Sequence, residues 1–256
     1  MNIIIHRGTH QIGGSAIEIS TASTRIILDF GNELSLDEKY TPINLDIDGV
    51  TKGLPDCDGI VISHYHMDHL GQLTSALPEI PLYMGELSKE VAMIATEHQD
   101  KDLYLRLLDA NTFRGGEAFT IGNIHIRPLV IDHSAVDSYM FVIEAEGKRV
   151  LYTGDFRMHG VRGHVLEKLI RTYIGEVDVL ITDGTSLSRN AHDGISEREV
   201  LDDISSYIQD GKYVFVMCSS TNIDRIMGIW HNMPTDKVLI CDAYQKRILD
   251  TVIDNV

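Results

Sequence analysis

The segment SHYHMDHLGQL, residues Ser63–Leu73, crowds three histidines and one aspartate directly after an apolar run. Alternate side chains of an extended chain point to the same side, so His64 and His66 can meet one cation. Asp68 and His69 lie where a helix begins and can face the same cavity from a second direction. Imidazole with carboxylate suits zinc, and manganese when oxygen ligands dominate. The segment predicts a loop that serves two metal ions, against the alternative of a solvated polar loop.

Other strand ends carry residues of the same kind, which matters because one loop supplies too few ligands for a metal. His133 follows the run IHIRPLVI, and Asp155 follows KRVLYT. Each is a candidate ligand, although His133 could be a capping or core histidine and Asp155 a plain turn residue. Asp29, in RIILDFG, could orient a ligand histidine through a hydrogen bond, or it could cap the turn before Gly31.

The elements that would position these residues are short strands followed by helices. β-Branched and apolar runs with turn residues between them predict strands at Ile3–His6, Ala16–Ser20, Arg25–Phe30, Gly59–Ser63, Ile124–Val130, Tyr139–Glu144, Arg149–Thr153 and Val177–Thr182. AEGK joins two of them as a hairpin connection. Apolar residues at helical intervals predict two helices between Gly85 and Asn111.

The last part of the chain alternates helices with strands. Ser196 and Glu199 match a capping box that opens a helix ending before Gly211. Three helices and two strands are predicted here, namely helix Ser196–Gln209, strand Tyr213–Cys218, helix Asn222–His231, strand Val238–Cys241 and helix Tyr244–Asn255. This change of pattern predicts a second, α/β domain.

Composition narrows the classes of protein. The chain has 256 residues, of which 43% are hydrophobic, enough for a sizeable core. A formal net charge of −16 argues against a broad nucleic-acid-binding surface, although it allows a local cationic cleft. No apolar run reaches the length of about 18 residues that spans a membrane, and the first residues, MNIIIHRGTH, do not predict a secretion signal. Cys57, Cys218 and Cys241 suggest neither a disulfide framework nor a cysteine metal site. We therefore expect a cytoplasmic protein without membrane partners.

The motifs LDFG, SHYHMDH, DHS and YTGDF occur in this order, and together they resemble the metallo-β-lactamase superfamily. YTGDFR, SSTNIDRIMGIW and ICDAYQKRIL resemble its β-CASP branch, which includes RNase J and the endonucleases of mRNA 3′-end processing. The resemblance implies an α/β fold, an αββα sandwich followed by the start of an α/β β-CASP-like domain. The implied division is a metal-binding domain over residues 1–210 and a partial β-CASP-like segment over residues 211–256.

The same resemblance assigns roles to the candidate residues. It implies a first metal held by His64, His66 and His133, a second metal held by Asp68 and His69, and a bridging Asp155. Asp183, in ITDGTSLSR, matches the acidic residue that supports a later catalytic histidine in the β-CASP branch, so Asp68 and Asp183 are the expected catalytic positions. The alternative for Asp183 is a cap at a strand end.

The chain departs from the family pattern at its end. Val256 lies inside what resembles the inserted β-CASP domain, and no histidine follows His231. Further histidines that the family brings after this domain, including a ligand of the second metal, are therefore not present in this sequence. Either the sequence is a carboxy-terminally incomplete piece of a longer protein, or it is a degenerate short relative. In both cases we expect two divalent cations, zinc first and manganese as the alternative, with an incomplete and weak second site.

The function implied is metal-dependent hydrolysis of RNA, or DNA, by a metal-activated water. The alternatives are a small-molecule acyl hydrolase of the same fold, such as a thioesterase or lactonase, and a non-catalytic metal-binding subunit. Hydroxyls and a helix amino terminus could bind a substrate phosphate at Ser219, Ser220, Thr221 and Asn222, or these residues could simply cap the helix. Arg157 could reach a phosphate or lie on the surface.

Overall fold

A computed structural model describes residues 1–34, 41, 43–187 and 194–255 of the chain. The strands are β1 (Asn2–Arg7), β2 (Ala16–Ser20), β3 (Arg25–Leu28), β4 (Gly59–Ile62), β5 (Leu82–Gly85), β6 (Asn111–Phe113), β7 (Phe119–Ile121), β8 (Ile124–Ile131), β9 (Ser138–Ala145), β10 (Lys148–Tyr152) and β11 (Val179–Ile181). The α-helices are α1 (Met67–Leu70), α2 (Glu86–Thr96), α3 (Lys101–Leu108), α4 (Leu166–Leu169), α5 (Glu197–Asp210), α6 (Ile223–Asn232) and α7 (Ala243–Asn255). Most of the strands match the sequence prediction, and β5, β6 and β7 were not predicted.

The first sheet has the strand order β1-β2-β3-β4-β5-β6. β1, β2 and β3 pair antiparallel, whereas β3, β4, β5 and β6 pair parallel. β4 is buried along its whole length, as expected for a parallel strand covered on both faces. Because β3 and β4 run in the same direction, Asp29 and the segment that begins at Ser63 leave the sheet at the same edge.

The second sheet has the order β11-β10-β9-β8-β7. β9 and β10 form the predicted hairpin, and Glu146 and Gly147 in its turn have φ angles of 51° and 70°, the left-handed values of a type I′ hairpin turn. β8 and β10 both pair antiparallel with β9, so they run in the same direction. The loops that carry His133 and Asp155 therefore also emerge at one common edge.

The two sheets face each other across an apolar core. Side chains of Ile19 and Leu28 from the first sheet join Phe141 and Ile143 from the second sheet in one buried cluster. Helices α2, α3 and α7 cover the outer face of the first sheet, and α4 packs on the outer face of the second. The predicted αββα sandwich is confirmed.

Two of the predicted strands are wrong. Tyr213–Cys218 and Val238–Cys241 are not strands in the structure, because neither segment has a neighbouring strand with which to exchange backbone hydrogen bonds among the described residues. Cys218, Leu239 and Cys241 pack against the core, whereas Phe215 and Met217 are fully exposed on the other side. The apolar composition of Tyr213–Cys218 predicted a strand, yet residues 213–217 are exposed and only Cys218 of this segment packs against the core.

The predicted helices of the last part are confirmed. Ser196 accepts a hydrogen bond from the amide of Glu199, and the Glu199 side chain accepts one from the amide of Ser196, which completes the capping box of α5. α5 packs on α6 through Leu201, Ile208 and Ile229. We call residues 194–255 the C-terminal segment; the domain boundary between residues 210 and 211 stays a prediction. Among the helices described, none has the length and apolar character that crossing a membrane requires.

Candidate metal centre

Three histidines from two strand ends meet at one point. His64 follows β4, His66 is the residue before α1, and His133 follows β8. Nε2 of His64 and Nε2 of His133 each lie 3.1 Å from Nδ1 of His66. The expected first set of ligands is therefore assembled by the convergence of both sheets at one edge.

The geometry of this group fits a tetrahedral zinc ion. Zinc–nitrogen bonds of about 2.0–2.1 Å imply ligand atoms roughly 3.3 Å apart at the corners of a tetrahedron, close to the distances between these nitrogens. Burial lowers the pKa of His66 to about 3 and that of His133 to about 4, and it holds the pKa of His64 well below its usual range. The three imidazoles are thus neutral near pH 7, the state in which they can bind a cation.

A second group of possible ligands adjoins the first. Nε2 of His69 lies 3.3 Å from Oδ1 of Asp155 and 3.6 Å from Oδ2 of Asp68. The other carboxylate oxygen of Asp155, Oδ2, lies 4.0 Å from Nε2 of His133. Asp155 therefore faces both groups, which is the position that a bridging ligand needs, and Asp68 and His69 lie together as the sequence predicted.

Burial and neighbouring charges shift the pKa values of the second group in opposite directions. Burial alone would lower the pKa of His69, but Asp29 and Asp155 outweigh it and raise that pKa well above its usual range. Burial is the largest single influence on Asp155 and would raise its pKa, but the hydrogen bond from His69 and the charges of the neighbouring histidines together leave the pKa lowered. At Asp68 burial prevails and raises the pKa. A cation in this group would take over the role of the His69 proton.

Asp29 lies behind the second group and contacts His69 directly. Its Oδ2 accepts hydrogen bonds from His69 Nδ1 at 2.7 Å, from the Tyr152 hydroxyl at 2.5 Å and from the Ser63 hydroxyl at 2.8 Å. Its Oδ1 accepts from the Ser63 amide at 2.7 Å. These bonds leave Nε2 of His69 free to face Asp155. The sequence predicted the aspartate but not Tyr152. Its place at the end of β10, three residues before Asp155, is the signal that could have suggested it.

The residue after Phe30 must be glycine for the histidine loop to pack. The amide of Phe30 donates to the carbonyl of His69 at 2.7 Å, and this brings the chain after β3 against α1. A Cβ atom at Gly31 would lie only 1.6 Å from the carbonyl oxygen of Asp68. The LDFG motif therefore supplies both the orienting carboxylate and the close approach of two backbones.

A cleft of about 1110 Å³ opens over the two groups. It is lined by His66, Asp68, His133, Asp155 and Asp183, among others. Asp183 Oδ1 also accepts a hydrogen bond from the amide of Thr185 at 2.7 Å. Both interpretations of Asp183 therefore have support, since the residue caps the turn after β11 and also borders the cleft.

The predicted phosphate-binding residues lie away from the lining of this cleft. The hydroxyls of Ser219 and Thr221 lie 2.9 Å apart and hydrogen-bond to each other, and the side chain of Asn222 makes no capping bond to α6. Ser220 belongs to the same turn. The Tyr65 hydroxyl donates to the carbonyl of Thr221 at 2.9 Å and so ties this turn to the histidine loop. Phosphate binding at Ser219–Asn222 stays a prediction.

Arg157 occupies a position that the sequence did not suggest. Its side chain is only 11% exposed, and its Nε donates to Oδ1 of Asp132 at 2.5 Å. The alternative of a surface arginine is therefore wrong, because Asp132 provides a buried partner, and contact with a phosphate stays a prediction. Sequence spacing could not reveal this pair, since the two residues meet only when β8 and β10 pair with opposite sides of β9.

Comparisons with known proteins agree with this architecture. A family model described as beta-lactamase superfamily domain matches residues 24–209. An RNase J-like protein of Methanocaldococcus jannaschii is 28% identical over 223 residues, which cover 82% of this chain and 49% of that protein. A ribonuclease J of Sinorhizobium meliloti is 25% identical over 208 residues, which cover 76% of this chain and 36% of that protein. The chain thus spans half or less of the length of these relatives.

A solved structure of a protein of unknown function from Enterococcus faecalis has the same fold. It superposes with a TM-score of 0.84 at 18% identity, and the match covers 98% of this chain and 67% of that one. At this identity the likeness concerns the fold alone. It extends over the C-terminal segment as well as the two sheets.

Proposed function

The chain belongs to the β-lactamase superfamily and is related to ribonuclease J proteins, as its motifs predicted, and from that premise we propose that it takes part in metal-dependent hydrolysis of RNA. The observation that carries the proposal is the convergence of His64, His66 and His133 within bonding distance of one cation. His69 and Asp155, together with His64, form a second such group, which therefore shares His64 with the first.

The proposal assigns the ligands as follows. His64, His66 and His133 hold the first cation, Asp68 and His69 face the second, and Asp155 lies between them. Three neutral imidazoles favour zinc at the first position. The second position offers one imidazole and two carboxylates, a set that binds zinc less selectively and admits manganese. We therefore propose a tight first site and a weak second one.

Divalent cations bound there would lower the pKa of a water toward neutrality and neutralise charge that develops on a phosphodiester. The chain's own residues supply the arrangement. Asp29 fixes His69 through Nδ1, and Asp68 and Asp183 border the cleft where a substrate would lie. We assign Asp68 and Asp183 the catalytic positions, Asp68 beside the second cation and Asp183 at the cleft wall, where it would support a later histidine.

RNA as the substrate rests on the similarity to proteins named ribonuclease J. The cleft, at about 1110 Å³, has room for more than one nucleotide. The net charge of −16 does not oppose this, because two dications exceed the charge of Asp68 and Asp155 at the site itself. Local charge and global charge can differ in sign in this way. A cytoplasmic location remains part of the same proposal.

The test is cleavage of a labelled single-stranded RNA and a matched DNA by the purified chain with added zinc or manganese. We expect cleavage of RNA by the wild type and a loss of at least about 100-fold in rate for Asp68→Ala, as removal of a key charged group in such sites costs. Hydrolysis of a thioester or lactone instead of RNA would assign the acyl hydrolase function. Metal binding without hydrolysis of any of these substrates would assign a non-catalytic role.

A further inference from the structure

A buried group of charges lies directly behind the proposed metal ligands. Asp132 immediately precedes His133, and Arg157 follows Asp155 by two residues. Arg157 Nε donates to Asp132 Oδ1 at 2.5 Å, and the Arg157 amide donates to the Asp132 carbonyl at 2.9 Å. The two loops that carry His133 and Asp155 are therefore joined by a side-chain bond and a backbone bond.

The other side of the same guanidinium faces the C-terminal segment. Nη1 of Arg157 lies 3.6 Å from Oε2 of Glu197, and Nη2 lies 3.9 Å from Oδ2 of Asp224. Glu197 is the first residue of α5, and Asp224 lies in the first turn of α6. One arginine thus contacts acidic groups from the metal-site loop and from two helices of the C-terminal segment.

Both helix acids are held in place by further arginines. Arg225 binds Glu197 through two parallel hydrogen bonds of 2.6 and 2.8 Å. Arg162 Nη2 donates to both carboxylate oxygens of Asp224, at 3.2 and 2.9 Å. Both carboxylates that face Arg157 are consequently restrained by two hydrogen bonds each. The two-nitrogen fork of Arg225 also fixes the orientation of Glu197.

Burial makes this arrangement sensitive to the loss of any member. The side chains of Asp132 and Glu197 are each 2% exposed and that of Arg157 is 11% exposed. Nη2 of Arg157 is buried and has no hydrogen-bond partner, so its charge depends on the nearby carboxylates. Removing one partner of a buried ion pair leaves an uncompensated charge, which forces the remaining groups to move or to admit water.

We propose that Arg157 is a positioning residue through which the C-terminal segment holds the metal site together. Glu197 and Asp224 keep the guanidinium in place, and the guanidinium keeps the loops of His133 and Asp155 at their mutual distance. A residue of α5 that touches none of the proposed ligands therefore controls the affinity for the cation. This inference rests on the proposed metal centre.

The test is a cobalt titration of the purified chain, followed by visible absorption, which reports both affinity and coordination geometry. Glu197→Gln keeps the shape of the side chain and removes its charge. We expect it to weaken cobalt binding by about 10-fold or more, the range found when groups that orient ligands are removed, and to shift the absorption bands. Ser196→Ala is the matched control, since it removes the capping residue of the same helix without touching Arg157.

A double-mutant cycle separates positioning from general loss of stability. Arg157→Met should weaken cobalt binding at least as much as Glu197→Gln, and the double variant should be no weaker than Arg157→Met alone, because Glu197 acts through Arg157. Arg157→Lys should recover part of the affinity, since it restores the charge without the planar fork. Fully additive losses in the double variant would overturn the proposal.

The outcomes distinguish this inference from the proposed function. If the wild type binds no cobalt, the metal centre itself is refuted. If the wild type binds cobalt and Glu197→Gln binds it as tightly with the same spectrum, only the coupling through Arg157 is refuted. Should Arg157→Met fail to fold, Glu197→Gln against Ser196→Ala still decides the question, and equal losses in those two variants would also overturn it.

Discussion

Oδ2 of Asp29 lies 2.7 Å from Nδ1 of His69, and both side chains are fully buried at the junction of the two sheets. A carboxylate in this position holds the imidazole in one tautomer and one orientation, with Nε2 directed at Asp155. Asp29 has a φ angle of 55°, a left-handed conformation that aspartate and asparagine tolerate better than most residues. The backbone at the end of β3 thus adopts the left-handed conformation at the residue that accepts the hydrogen bond from His69.

Asp29→Asn tests that relationship. Asparagine keeps the size and tolerates the left-handed backbone, but it replaces an ionic acceptor with a neutral amide. We expect affinity for zinc at the site of His69 to fall by about 10- to 100-fold, measured by calorimetric titration at pH 7. Asp109→Asn, at an exposed position after α3, is the control and should leave the affinity unchanged. Equal affinities in all three proteins would refute the orienting role.

Gly31→Ala tests the close approach of the LDFG motif to the histidine loop. The added Cβ would lie 1.6 Å from the Asp68 carbonyl oxygen and 2.5 Å from the amide nitrogen of His69. Both are backbone atoms, which cannot move without shifting the histidine loop. We expect a loss of about 3 kcal/mol or more in the free energy of unfolding, together with a loss of zinc binding. Gly194→Ala, whose Cβ meets nothing within 4 Å, should leave both unchanged.

Glu197 gives the stability of the chain a specific pH dependence. Its hydrogen bonds from Arg225 hold the pKa of Glu197 below its usual range. A lowered folded pKa stabilises the folded state above the ordinary glutamate value of about 4.3, and this contribution is lost as the pH falls toward the folded pKa. Urea unfolding should therefore show a gap in stability between wild type and Glu197→Gln that is constant above pH ~5.5 and narrows below pH ~4.3. A gap independent of pH would contradict this.

The exposed apolar residues of the C-terminal segment should contribute little to stability. Phe215 and Met217 lie outside any core, so replacing both by serine should change the free energy of unfolding by less than about 0.5 kcal/mol. Phe141→Ala, in the core between the sheets, should cost about 3–5 kcal/mol. Both are measured by denaturant unfolding. A large loss in the serine variant would show that this segment is packed in solution.

The sequence predicted the site better than it predicted the packing around it. His64, His66, Asp68 and His69 could be grouped because local spacing alone brings them together. His133 and Asp155 required only that strands ending in ligand-type residues share an edge, and the strand order around β9 provides this.

Other features depend on contacts that spacing does not encode. The Tyr152 hydroxyl contacts Asp29 across the core between the two sheets. Arg157 contacts Asp132 at the edge of the second sheet and Glu197 only once the C-terminal segment has packed against it. Tyr213–Cys218 has the composition of a buried strand, but a strand exists only where another strand pairs with it. Amino-acid composition reflects the side chains of a segment and does not predict whether a neighbouring strand is present to pair with it.

The central claim is that His64, His66 and His133 bind one cation. X-ray absorption at the zinc edge, on the chain loaded with one equivalent of zinc, measures the number and distance of the imidazole ligands directly. We predict imidazole nitrogens at about 2.0–2.1 Å in the wild type and a lower imidazole count with weaker binding in His133→Ala. Zinc bound mainly by oxygen, or an unchanged imidazole count in His133→Ala, would contradict the claim.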